Sequence, residues 1–151
     1  MALFKATQVT NKVPVPSASS ATELIFVVGD FTIPTGFASN DVVEMGCLPA
    51  GYVPVDLIVD NAAGGTTVTS DFGILSGNYN DSGARTCGAQ FAAAQALQTA
   101  GIKRMAAAGG GRLAPTTNDR GWGFVASTVS VPTVGAAVRA TLICRPQSEG
   151  V

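Results

Sequence analysis

The run YVPVDLIVD, from Tyr52 to Asp60, decides how the chain reads. Val53, Val55, Leu57 and Val59 fall on one side of an extended backbone, and Tyr52, Pro54, Asp56, Ile58 and Asp60 on the other. That two-residue period belongs to a half-buried β-strand, because successive side chains of a pleated strand point to opposite faces. Pro54 has no N–H to give to a ladder, so a free edge or a bulge is expected beside it.

The same period spreads in both directions. Upstream, Val43, Met45 and Cys47 alternate with Val42, Glu44 and Gly46. Downstream, Val68, Phe72 and Ile74 line one side of Thr66 to Leu75, and Trp122, Phe124 and Ala126 repeat the pattern. Val138, Ala140, Leu142 and Cys144 close the series, with Arg139, Thr141 and Arg145 facing away. Glu23 to Val28 (ELIFVV) is a continuous apolar run, which reads as a strand buried on both faces. Turn residues separate these runs at Pro34 to Gly36, Pro49 to Gly51, Asn61 to Gly65 and Asn118 to Gly121. One segment departs from the period. Ala89 to Leu97 (AQFAAAQAL) is rich in helix formers, with Thr86 available as a cap and Gly101 beyond its end, and reads as a short surface helix.

About eight strands and one short surface helix make the fold class all-β, a jelly-roll-like β-sandwich. Val13 to Ala21, with two prolines and several serines, reads as a linker. The expected organisation is therefore an N-terminal arm and linker at 1–22, the sandwich at 23–145, and a polar tail at 146–151.

Composition narrows the function. The 151 residues suit one domain; 46% are hydrophobic and 13% charged, with a net charge of −1. That is too apolar and too weakly charged for a disordered chain. No apolar run reaches the roughly 18 residues that cross a membrane as a helix, and nine basic against ten acidic residues argue against nucleic acid as a partner. The N-terminus shows no basic region leading into an apolar core, so no signal-peptide route is expected.

The charges are unevenly ordered. Eight acidic residues and no basic one lie between Val13 and Ala84. Seven basic residues and a single acidic one, Asp119, lie from Arg85 to Arg145. Either the halves interleave in the fold and neutralise each other, which is the commoner outcome in sandwiches, or the surface is polarised. The three cysteines, Cys47, Cys87 and Cys144, stand 40 and 57 residues apart. This spacing matches no metal clip or redox motif and suits small buried side chains in a reducing compartment.

No constellation for catalysis emerges. Histidine is absent, which removes His-based triads and His-ligated metals. Asn78 to Gly83 (NYNDSG) resembles the opening of a calcium loop, but the position due for its bidentate carboxylate is Ala89, so it reads as a tight polar turn. Ala108 to Arg112 (AGGGR) lacks the spacing of a phosphate loop. Asp56 and Asp60, four strand residues apart, stand roughly 13 Å from each other, too far to flank a glycosidic bond. No enzymatic activity, cofactor or metal is expected. Trp122, the one tryptophan, reads first as a core residue and second as a sugar- or partner-binding ring.

The runs Phe31 to Pro34 (FTIP), Asn40 to Tyr52 (NDVVEMGCLPAGY) and Val55 to Asp60 (VDLIVD) resemble the small capsid decoration, or cement, proteins of tailed bacteriophages. So does the pairing of Asp71 to Gly77 (DFGILSG) with Arg112 to Trp122 (RLAPTTNDRGW). The resemblance spans about residues 23 to 145. It implies a jelly-roll or related sandwich on the capsid exterior, bridging subunits of the major capsid protein after assembly in the host cytoplasm. Further copies of the chain, as a dimer or trimer, are also expected partners; nucleic acid and membrane are not. Arg104, Arg112, Asp119 and Arg120 combine charge with expected loops and are the candidate protein contacts. The alternatives are a carbohydrate-binding module of a phage tail or fibre, and a structural subunit that assembles alone.

Overall fold

A computed structural model describes residues 1–11, 24–107 and 110–147. The expected linker from Val13 to Ala21, the start of the glycine run at 108–109 and the last four residues lie outside them. Among the described residues nine strands form two sheets. They are β1 (Leu3–Lys5), β2 (Ile25–Thr32), β3 (Val42–Leu48), β4 (Tyr52–Asn61), β5 (Val68–Ile74), β6 (Ala92–Ala96), β7 (Gly101–Arg104), β8 (Arg120–Val129) and β9 (Ala137–Pro146). One sheet runs β1-β3-β8-β5-β6, the other β2-β9-β4-β7. Apart from β5 and β6, successive strands cross between the sheets, so that early and late strands become neighbours, the double Greek-key order of a jelly roll. This bears out the all-β sandwich.

The alternating residues face inward as expected. Leu57 and Val59 of β4, Phe72 of β5, Trp122, Phe124 and Ala126 of β8, and Val138, Ala140, Leu142 and Cys144 of β9 are buried in one core. Trp122 is fully buried, which decides between its two readings in favour of the core. Pro54 lies beside a bulge: the register of β4 against β9 shifts between Pro54 and Asp56. The extra residue there, Val55, turns outward instead of joining the core. A chain of ring contacts ties the layers together, Phe31 touching Phe4, Phe37 and Phe124, and Phe124 touching Phe72, with centroids 5.1–6.0 Å apart.

The expected helix at Ala89 to Leu97 is corrected by the structure: its centre is strand β6, paired antiparallel with β5. On a helix Phe91 and Leu97 would diverge by about 120°, and an isolated helix this short lacks the length to offset its nucleation cost. On a strand both side chains reach the core, where they are buried. Burial of two large side chains outweighs alanine's helix propensity.

The short helix that does form is α1 (Thr7–Thr10), which follows β1. These N-terminal residues, expected as an arm, lie against the sandwich. β1 pairs in parallel with β3 from Leu3↔Val42 to Lys5↔Glu44, and Ala6 and Val9 are buried in the core.

Candidate functional site

The two sheets present different outer faces. On the five-stranded sheet, every residue of β3 is buried, on both sides of the strand. Its outer side is roofed by the long connection from β5 to β6, whose Arg85 reaches down to pair with Glu44. Arg85 also donates through Nε to the Ser76 carbonyl at 2.7 Å, and Glu44 accepts from the Asn80 backbone N–H at 3.1 Å. Lys5 lies 4.0 Å from the same carboxylate. Glycine makes room for the roof: a Cβ on Gly121 would stand 2.1 Å from the Glu44 carboxylate.

The outer face of the four-stranded sheet has no such cover among the described residues. Three cross-strand rows build it. Phe26 stands opposite Ile143 and then Asp56; Val28 opposite Thr141, Ile58 and Arg104; Asp30 opposite Arg139, Asp60 and Ile102. Phe26 is 59% exposed, and Leu24 and Val28 beside it are exposed too. This corrects the reading of Glu23 to Val28 as buried on both faces. β2 is an edge strand with one face on the core, and its apolar outer residues Phe26 and Val28 share their face with Asp30. That shared parity with an aspartate was the signal available in the sequence.

Ion pairs border the apolar patch. Arg139 grips Asp30 through two bonds, Nε–Oδ1 at 2.6 Å and Nη2–Oδ2 at 3.2 Å, and this hydrogen-bonded partner raises the guanidinium pKa further. Arg104 pairs with Asp56 on the neighbouring row. A shallow hollow of about 210 Å³ opens between Asp30, Asp60, Ala62, Ala137 and Arg139. An apolar centre with a polar border is the layout of a protein-docking surface.

Among the described residues, no three His, Cys, Asp or Glu side chains converge to hold a metal. The calcium-like turn has its oxygens occupied, with Asp81 accepting from the Gly83 N–H at 3.3 Å and Asn80 accepting from Lys5 of β1. Burial pushes the thiols of Cys47, Cys87 and Cys144 up to about 12. Cys47 and Cys144 are buried and Cys87 half-buried, all as free thiols.

The four candidate contact residues are dispersed. Arg104 ends β7 and borders the apolar face. Arg112 ends a 3-10 turn, Gly110–Arg112, and is exposed. Asp119 accepts from the Ala50 N–H at 2.9 Å, and Arg120 donates to the Leu75 carbonyl at 2.8 Å. The last two therefore fasten loops of their own chain. The opposed charge halves interleave: Asp30–Arg139, Glu44–Arg85 and Asp56–Arg104 each join the acidic half to the basic one.

No family model matches the chain, and no curated protein matches it. Solved structures do. A chain of the structure described as "Capsid of Ralstonia phage GP4" superposes with a TM-score of 0.90 at 26% identity, over 98% of this chain and 100% of that one. A chain of the "Cyanophage Pam1 capsid asymmetric unit" superposes with a TM-score of 0.53 at 15% identity, over 89% of this chain and 93% of that one, a likeness of fold. The jelly roll described above is thus shared, along nearly its whole length, with chains found in phage capsids.

Proposed function

We propose that the chain is a virion structural protein that decorates and stabilises the exterior of a phage capsid by bridging subunits of the major capsid protein. The whole-length likeness to a chain of the Ralstonia phage GP4 capsid carries this reading. The surface chemistry supports it. The exposed centre at Leu24, Phe26 and Val28 supplies an apolar anchor, and the border at Arg104 and Arg139 supplies direction. Arg112, exposed at the end of its 3-10 turn, is a further contact candidate; Asp119 and Arg120 hold the loops at Ala50 and Leu75 in place.

Co-sedimentation with capsids stripped of decoration tests the reading. Recovery of the chain with the particles is expected. Its persistent absence from the pellet at near-saturating concentration overturns the proposal. The charges at the border are already paired within the chain, so binding is expected to change little as salt rises past the screening range. The carbohydrate-binding alternative loses its main support, since the Trp122 ring is buried and has no face to offer a sugar.

A further inference from the structure

Four strands lie at the edges of the two sheets, and three of them are blunted. β1 is three residues long, and β7 is four and ends in Lys103 and Arg104. β6 is bulged against β5 and holds Ala94 in the left-handed region at φ +48°. Short length, lysine and bulges are the means by which folded proteins keep an edge from pairing. β2 uses none of them. It runs for eight residues, pairs with β9 throughout without a register shift, and contains neither proline nor lysine. On its side away from β9, no strand follows among the described residues.

The ladder fixes which backbone groups reach that open side. The Ile33 N–H donates to the Ala136 carbonyl at 2.9 Å, one step beyond the last pair of β2 and β9. Bonded pairs alternate in an antiparallel ladder, so Phe31, Gly29, Val27 and Ile25 bond to β9. The N–H and C=O groups of Phe26 and Val28 therefore point away from it, and among the described residues no strand or loop pairs with them. The side chains agree. Phe26 and Val28 are exposed on the outer face, while Ile25 and Val27, on the core side, are only half-buried. A body resting on the outer face covers the first two alone. A strand laid alongside β2 covers all four.

We propose that β2 accepts an extended segment of the capsid partner as a fifth strand of its sheet. The segment is apolar at alternate positions and carries an acidic residue where it passes Arg145. This rests on the decoration reading and says how the partner is held. Main-chain bonds to Phe26 and Val28 supply affinity, and the apolar side chains on both sides of the edge set the alternation. Arg145 lies one row beyond Ile143, beside Leu24 by the same register, exposed and without an ion-pair partner among the described residues. A carboxylate arriving there gains charge-assisted hydrogen bonds. Residues 12–22 of the chain itself match this occupant poorly, since Pro14 and Pro16 cannot donate to a ladder and no acid lies among them. The β2 of a second copy matches it no better, because its one acid, Asp30, is gripped by Arg139.

The experiment is hydrogen exchange, read at single amides, of the full chain free and bound to decoration-free capsids. In the free chain the Phe26 and Val28 amides are expected to exchange quickly and those of Val27 and Gly29 slowly. On docking, Phe26 and Val28 are expected to slow by about a hundredfold or more. Val28→Pro removes an outward N–H and no bond to β9, so it is expected to keep its circular dichroism and to bind capsids about tenfold more weakly. Arg145→Glu is expected to weaken binding by about tenfold as well. Bound wild type whose Phe26 and Val28 amides still exchange quickly overturns this proposal and leaves the decoration reading standing; wild type that never reaches the pellet overturns both. Slow exchange of these amides in the dilute free chain assigns the edge to the chain's own residues, and slow exchange that appears only on concentrating it assigns the edge to a second copy. Either result overturns the proposal. Undiminished binding of Arg145→Glu overturns the acidic partner. Should Val28→Pro fold poorly, the exchange of the wild type decides alone.

Discussion

Glu44 and Arg85, 41 positions apart, form an ion pair closed off from solvent between β3 and the connection that roofs it. Neither charge is stable alone in that setting, since a buried ion without its counterpart loses hydration and gains nothing in exchange. Arg85→Met is therefore expected to cost about 3–5 kcal/mol in urea unfolding, and the double change with Glu44→Leu to recover most of that loss. A double-mutant cycle with no coupling would contradict the pair's role as the fastening of the roof.

Trp122 fills the core between Gly46 and Ile74, its partners on either side in the sheet. Trp122→Ala leaves a large void and is expected to cost about 3–5 kcal/mol. For a domain whose whole stability is of the order of 5–15 kcal/mol, this is enough to lower soluble yield visibly. Thermal melting of the variant, or its recovery in inclusion bodies, provides the check.

Gly65→Ala places a methyl group against the Val131 carbonyl in a backbone region that alanine avoids. A loss of about 1–3 kcal/mol is expected. A lower thermal midpoint for the variant provides the check.

Phe26→Asp should be silent in folding and severe in docking. Its side chain projects into solvent, so stability is expected to move by less than about 0.5 kcal/mol. Recovery with decoration-free capsids is expected to fall to background. Retained binding would move the anchor away from the outer face of the four-stranded sheet.

Alkaline pH should loosen the molecule. Cys47, Cys87 and Cys144 titrate near 9.0 when unfolded and are pushed by burial to about 12 when folded. Above pH 9 the unfolded chain gives up protons that the native one keeps, so the native state loses ground as pH rises towards the folded value. Stability is complete below the unfolded pKa and declines from there upward. Urea midpoints measured across this window should fall with pH, and Cys144→Ala should flatten part of the slope.

Much of the architecture was legible because alternation reports directly which side of a strand is buried. Leu57, Phe124 and Leu142 sit where that period puts them. Alternation does not name a strand's neighbours, so the placing of β9 between β2 and β4 lay beyond it. Glu23 to Val28 misled for a related reason: an apolar run reads as doubly buried whether its outer side meets the same chain or awaits a different one. Phe26 meets no cover from the described residues, so its run hid an exposed apolar face.

The interleaving of Asp30 with Arg139 and Asp56 with Arg104 reaches beyond the single molecule. Each copy carries a net charge of only −1, and much of its charge is cancelled locally between neighbouring strands. Repulsion between bodies grows with the charge each brings, and screening works only over distance. In the proposed role, tiled in large numbers over a curved shell, such units build up little lateral pressure, and their spacing is dictated by the surface beneath them and not by mutual avoidance.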